Sequence, residues 1–161
     1  MSLKPFSHSP STPLNVPKDT SPNMPENMEE LIADHMEKGF LENIEALFKQ
    51  DRSVWPTVAR LVSDERIRVR LGAAALVEEL DAALVPGLDA LADYLVPLLN
   101  DESALIRGDA AYCVGLTGGV RHVAPLEKLI DDENADVREA ARDAVEEILK
   151  RMRAREIQGR V

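Results

Sequence analysis

Apolar residues recur every three or four positions along most of the chain, with polar residues between them. This period places the apolar side chains on one face of a helix. Two such runs cover residues 26–39 and 40–50, and three pairs of runs follow. Pro86-Gly87 and Gly118-Gly119 interrupt the later runs, and Gly118 is expected to end its helix in a left-handed conformation. The pattern therefore predicts an all-α domain.

Three segments can be laid over one another: residues 61–80, 98–117 and 129–148. Each contains a leucine, a turn with Asp-Glu, an apolar residue followed by arginine, and alanine at a fixed offset. A helical hairpin repeated in this way is typical of a solenoid, in which each unit buries its apolar face against the next. We expect a right-handed α-α superhelix in which residues 26–50 form an atypical N-terminal cap.

The third copy, Leu129 to Ala141, resembles the HEAT-like repeat, and the second, Leu98 to Gly118, is similar to it. The resemblance is closest to the short bacterial type that is also named after phycobilisome lyases. The first copy departs from the pattern, because Arg68 stands where the family usually has aspartate. The resemblance covers roughly residues 53–150. It implies an α-solenoid fold and says little about function.

Polar residues also recur at fixed positions of the repeat. Asp64, Asp101 and Asp132 are predicted to accept backbone N–H groups at the hairpin turns. Asp136 is predicted to do the same at the start of the last helix. The family resemblance implies that the arginines at one repeat position bridge to acids of an adjacent repeat and so set the stacking register. They are Arg70, Arg107 and Arg138.

Composition adds limits on class and partners. The chain of 161 residues is 45% hydrophobic but only 4% aromatic, so its core is expected to consist of Leu, Val, Ile and Ala. The formal net charge of −10 disfavours nucleic acids and anionic membranes and favours a basic partner. No run of about 18 apolar residues predicts a membrane span. With no stretch that resembles a signal peptide, we expect a cytoplasmic protein.

The two ends of the chain differ in character. Residues 1–25 hold six of the ten prolines, interleaved with Ser and Thr, and are expected to be a disordered tail. The solenoid domain is expected to span residues 26–161. The single cysteine, Cys113, lies in an apolar run and is predicted to be a core residue without a reactive thiol.

No catalytic or metal-binding pattern emerges. His8, His35 and His122 are far apart and none lies in a His-Glu pair. The glycine-rich residues 115–119 lack the Lys-Ser/Thr ending and the preceding strand of a phosphate loop. We therefore expect no enzymatic activity, no metal and no cofactor.

The remaining candidate is a surface, because the second helices of such hairpins normally line the concave side of the stack. The residues expected there are acidic, with one aromatic anchor for contact energy. They are Glu79, Asp109, Tyr112, Asp143 and Glu147. The interpretation is a non-enzymatic scaffold or adaptor that binds another protein on this face.

Two alternatives remain open. The resemblance raises a bilin lyase-like or other enzyme-accessory subunit, although no bilin site is indicated. A HEAT-like DNA glycosylase would require a basic groove, whereas the expected face is acidic.

Overall fold

The computed structural model describes residues 26–160, so the predicted tail, residues 1–25, lies outside the described residues. Within 26–160 the chain forms helices and no strand, which confirms the all-α prediction. The α-helices are α1 (Glu26–Glu37), α2 (Leu41–Gln50), α3 (Thr57–Val62), α4 (Ile67–Ala82), α5 (Asp89–Leu95), α6 (Ala104–Thr117), α7 (Val123–Glu127) and α8 (Ala135–Gln158). Short 3-10 segments cover Arg52–Val54, Val96–Asn100 and Val120–His122.

The helices are arranged as stacked hairpins in two layers. One layer contains α3, α5 and α7, and the other contains α4, α6 and α8. Helix α4 packs on α6 and α6 packs on α8, while α3 packs on α5 and α7 packs on the 3-10 segment that follows α5. Helices α1 and α2 pack against α4 and cover the first hairpin, as expected of a cap. None of the helices within residues 26–160 combines the length and apolar content that crossing a bilayer requires.

Aliphatic side chains fill the space between the layers. Leu61, Leu76, Leu95 and Leu126 have no solvent exposure. Complete burial of each leucine side chain contributes about 1.5–3 kcal/mol to the stability of the fold. The indole of Trp55 is also buried, and its N–H donates to the Phe48 carbonyl at 2.9 Å. The core therefore matches the composition, which is rich in aliphatic residues and poor in aromatic ones.

The three turn aspartates have the predicted role. Each accepts a hydrogen bond from the backbone N–H two residues later and so fixes the turn before α4, α6 and α8. The pairs are Asp64 with Arg66, Asp101 with Ser103 and Asp132 with Asn134, at N···O distances of 2.9, 2.8 and 2.9 Å.

Two predictions at helix ends are wrong. Asn134, not Asp136, caps α8: its side-chain oxygen accepts from the N–H groups of Asp136 and Val137. Asp136 is already inside the first helical turn. Gly118 ends α6 in extended backbone (φ −71°), not in the left-handed region. Glycine is needed there for space, because a Cβ would lie 2.6 Å from the carbonyl oxygen of Val114.

Candidate functional site

Helices α6 and α8 approach each other very closely. A Cβ atom on Gly115 would lie 2.8 Å from the Cβ and 2.9 Å from the Cα of Ala144, well inside van der Waals contact. Small residues at the crossing allow the two backbones to come together. Beside this contact, the exposed side of the helix pair forms a shallow groove.

The groove between α6 and α8 consists of two adjoining cavities of about 470 and 420 Å³. Both cavities share Tyr112, Asp136 and Ala140, so they are continuous. We call this feature the α6/α8 groove. The larger cavity has an apolar floor of small and aliphatic side chains, and the smaller one adds Leu105. The floor residues are Gly115, Leu116, Ala140 and Ala144.

The rim of the α6/α8 groove is acidic. Of the described residues that line its two cavities, five carry a carboxylate and none is basic. The five are Asp109, Asp136, Glu139, Asp143 and Glu147. Carboxylates that border an apolar floor attract cationic groups, and the negative potential is focused because the protein wall has a low dielectric constant.

Asp109 and Glu147 are half-buried, whereas the other three rim acids are exposed. Burial raises the pKa of the Asp109 carboxyl group, and the nearby positive charge of Arg70 lowers it by less. A partly desolvated carboxylate gains more from a new cationic neighbour than a fully solvated one does. A cationic ligand would therefore stabilise the charged form of Asp109 more than that of a fully solvated rim acid.

Tyr112 stands at the point where the two cavities meet. Its ring is partly exposed, and its hydroxyl donates to the Glu78 carboxylate at 2.6 Å. That hydrogen bond, assisted by burial, raises the pKa of Tyr112 to about 12. The phenol therefore remains protonated at neutral pH, and the bond to α4 holds the ring in place as a contact surface.

The structure brings four of the five predicted face residues together. Asp109, Tyr112, Asp143 and Glu147 all line the α6/α8 groove. Glu79 is exposed but does not line either cavity, and its neighbour Glu78 reaches Tyr112 instead. The sequence indicates only weakly which side of α4 faces solvent, because three successive alanines, residues 73–75, lie in the middle of this helix.

Sequence reasoning missed other residues of this face. Asp136 and Glu139 complete the rim on α8. Leu105 is 56% exposed beside the groove. On α4, Ile67 and Leu71 are 63% and 65% exposed and lie four residues apart, on one face of the helix. An apolar residue in an amphipathic helix is normally assigned to the core, so only the structure identifies these as surface residues.

One of the three repeated arginines forms the bridge that the family resemblance implied. The Arg107 guanidinium donates twice to the Asp132 carboxylate, both at 2.9 Å, and both side chains are 9% exposed. It also donates to the carbonyls of Asp101 and Glu102 in its own turn, at 2.8 and 3.1 Å. This single side chain of α6 therefore joins the second repeat to the third, through the turn that precedes α8.

Within residues 26–160, the side-chain hydrogen bonds of the other two arginines go to their own turns. Arg70 donates to the carbonyls of Asp64 and Glu65, and Arg138 donates to those of Asp132 and Glu133. At the cap end a different residue crosses between units: Arg66 pairs with Asp34 and Glu37 of α1 and with Asp64. The interval between turn aspartates is 37 residues from 64 to 101 but 31 from 101 to 132, so six more residues lie between the first two turns than between the second and third.

The bridge also predicts how stability depends on pH. The Arg107 hydrogen bonds lower the pKa of Asp132 below 3.8 in the folded protein. The stability that the pair contributes is therefore present above pH 3.8 and is lost as pH falls through the lower folded pKa. Asp132→Asn should reduce stability at pH 7 and flatten the loss of stability as the pH falls below about 4, measured by urea unfolding.

The matched variant for that experiment is Asp131→Asn, because the adjacent Asp131 is exposed and forms no salt bridge with any described residue. It should leave the neutral-pH stability and the acid response close to those of the unmodified chain. Equal acid profiles for the two variants would contradict the role of Asp132.

Two residues with side chains of a catalytic type, a histidine and a cysteine, have structural roles. His122 is 1% exposed, its Nδ1 accepts from the Gly119 N–H, and its Nε2 donates to Asp93, both at 2.9 Å. Both ring nitrogens are thus committed to linking α5 with the start of α7. Cys113 is fully buried, and burial raises the pKa of its thiol to about 12, so little thiolate forms near neutral pH.

The comparison with known families agrees with the repeat seen in the sequence. A family model described as HEAT repeats matches residues 56–146, which is more than half of the chain. The match extends from α3 into α8 and includes most of the α6/α8 groove. It does not single out the phycobilisome lyase type. No curated protein matches the chain.

Proposed function

The chain belongs to the HEAT repeat family, and on that premise we propose that it is a non-enzymatic interaction module that holds a basic segment of another protein. HEAT repeats generally serve as scaffolds for protein interactions. The observation that supports the proposal is the α6/α8 groove, in which five carboxylates border an apolar floor. None of the described residues that line the groove is basic.

The floor and the rim contribute different parts of the binding. Contact with Tyr112, Leu105 and Leu116 removes apolar surface from water, at about 25 cal/mol per Å². The carboxylates add specificity and faster association with a cationic partner more than they add affinity. An acidic groove also repels the phosphates of nucleic acids, which argues against the DNA glycosylase alternative.

The shape of the groove favours a helical ligand. It follows the axes of α6 and α8, as do the grooves into which amphipathic helices bind. A helix with aliphatic residues on one face and Arg or Lys beside them would place the former on the floor and the latter at the rim. The bilin lyase-like alternative and the cytoplasmic location stay predictions.

The proposal predicts that a cationic amphipathic peptide binds in the groove. A labelled alanine-based helical peptide with Arg on one face and Leu beside it should bind the chain, and Asp143→Lys/Glu147→Lys should weaken that binding at least about tenfold, or 1.4 kcal/mol. Fluorescence anisotropy measures both affinities. Asp109 is left unchanged because it is half-buried near Arg70, so replacing it would also affect folding.

The matched control is Glu127→Lys/Asp131→Lys, which makes the same change in net charge at exposed residues outside the groove. It should bind the peptide as the unmodified chain does. A second peptide with Glu in place of Arg should bind much more weakly. The proposal fails if the Glu peptide binds as well as the Arg peptide, or if both double variants lose the same affinity.

A further inference from the structure

Helix α8 is longer than the other second helices and extends beyond them. It has 24 residues, against 16 in α4 and 14 in α6. The supported part of α8 ends with Arg151 and Met152: the Arg151 guanidinium donates to the carbonyls of Gly115, Leu116 and Gly118 at 2.6–2.8 Å, and Met152 packs against the core. All residues from 153 to 160 are exposed. Two turns of helix exposed in this way are marginally stable by themselves in water, which suggests that something packs on them.

The extension has the chemistry of the ligand proposed above. Residues 148–160 contain five basic residues and one acidic residue, and Ile157 is 68% exposed. Cations in the last turn of a helix are explained by the helix dipole. Lys150 and Arg153 lie one to two turns earlier, where the dipole effect has decayed, so the dipole does not account for them.

The groove and the extension lie along one stripe of α8. Asp136, Ala140, Asp143 and Glu147 line the groove at alternating spacings of four and three residues. The same alternation continues through Lys150, Ala154 and Ile157. Residues at this spacing share a helix face. The first half of this stripe is therefore acidic, whereas the second half carries Lys150, with the basic Arg153 on the adjacent side of the helix. Two antiparallel copies of α8 would thus place acidic residues of one copy beside basic residues of the other.

We propose that a second copy of this chain occupies the α6/α8 groove. The two α8 helices pack antiparallel about a two-fold axis, and the basic end of each lies along the groove of the other. This brings Asp143 and Glu147 of one copy within reach of Arg153 and Lys150 of the other, and Ile157 onto the apolar floor. Such an interface is self-complementary and closes at the dimer. The inference rests on the proposed function, because it assigns an occupant to the same groove.

Sedimentation velocity of the full chain tests the inference. At about 0.05 M salt the chain should sediment with twice the 17.8 kDa chain mass, and it should shift toward monomer at about 0.5 M salt because ion pairs hold the register. Lys150→Glu/Arg153→Glu should weaken the dimer at least tenfold. The control Arg68→Glu/Lys128→Glu makes the same charge change at exposed residues of α4 and the α7–α8 turn and should remain dimeric.

Charge reversal on both halves distinguishes this interface from any other. Asp143→Lys/Glu147→Lys alone should be monomeric, and the quadruple variant that combines it with Lys150→Glu/Arg153→Glu should dimerise again. An equimolar mixture of the two double variants should form the heterodimer. A monomeric unmodified chain, a dimer that ignores Lys150→Glu/Arg153→Glu, or a quadruple variant that stays monomeric would overturn the inference.

The peptide experiment separates this inference from the proposed function. A chain that stays monomeric but binds the Arg peptide in a manner dependent on Asp143 and Glu147 overturns the self-association alone. A chain that dimerises through α8 but binds no Arg peptide retains the self-association and contradicts the binding of a foreign basic helix.

Discussion

Arg107→Ala is expected to lower the melting temperature by on the order of 10 °C, measured by circular dichroism. The substitution removes both hydrogen bonds to Asp132 and leaves that carboxylate 9% exposed without its cation. It also frees the carbonyls of Asp101 and Glu102. Removing one member of a buried pair is strongly destabilising because the remaining charge stays desolvated. The third hairpin, including α8, should lose protection from hydrogen exchange first.

Arg138→Ala provides the comparison that isolates the ion pair. Arg138 makes the same two contacts with its own turn, to the carbonyls of Asp132 and Glu133, at 2.7 and 3.1 Å. It lacks a carboxylate partner among the described residues. Its replacement should cost a few degrees only. Equal losses for Arg107→Ala and Arg138→Ala would mean that the turn contacts, and not the bridge between repeats, stabilise the stack.

Gly115→Leu is expected to reduce the free energy of unfolding by about 3 kcal/mol or more, measured by urea denaturation. Even the Cβ would meet the Cα of Ala144 at 2.9 Å, and backbone cannot move aside as a side chain can. The crossing of α6 and α8 would have to widen. Alanine has an advantage over glycine of about 1 kcal/mol in helix propensity, but that gain is smaller than the overpacking penalty, so Gly115→Ala should also be destabilising.

Gly108→Ala serves as the control within the same helix. The nearest atom to a Cβ at Gly108, apart from its own helix backbone and neighbours, is a methyl of Val137 at 3.9 Å, which is ordinary contact distance. Here the propensity gain is unopposed, and the variant should be stabilised by about 0.5–1 kcal/mol. Should Gly115→Ala prove as favourable as Gly108→Ala, the close approach of α6 and α8 would be refuted.

The α6/α8 groove depends on this close approach. In the sequence, Gly115 and Ala144 are two small residues in separate helical runs. Only their contact in the structure explains why neither position holds a larger side chain. Both residues also form part of the groove floor. A sequence pattern that repeats within each hairpin carries little information about the offset between hairpins, which non-local packing controls.

The helices, their pairing into hairpins and the turn aspartates followed from the sequence, because each depends on residues a few positions apart. Hydrophobic period identifies helices, and an aspartate two residues before a helix start reaches the backbone by itself. Boundaries were less certain: Asn134 and Asp136 both suit a cap, and only the position where α8 begins distinguishes them.

Features that join one hairpin to the next required the tertiary structure. Three arginines occupy one repeat position, yet among the described residues only Arg107 meets a carboxylate of the following repeat. Arg138 lies in the last of the three repeats, and six more residues separate the first two turn aspartates than the second and third. Glu78 and not Glu79 supports Tyr112, since the rotation of α4 is set by its packing on both neighbours. Local chemistry repeats along the chain, whereas the relative placement of helices depends on the volumes of side chains that meet from distant positions.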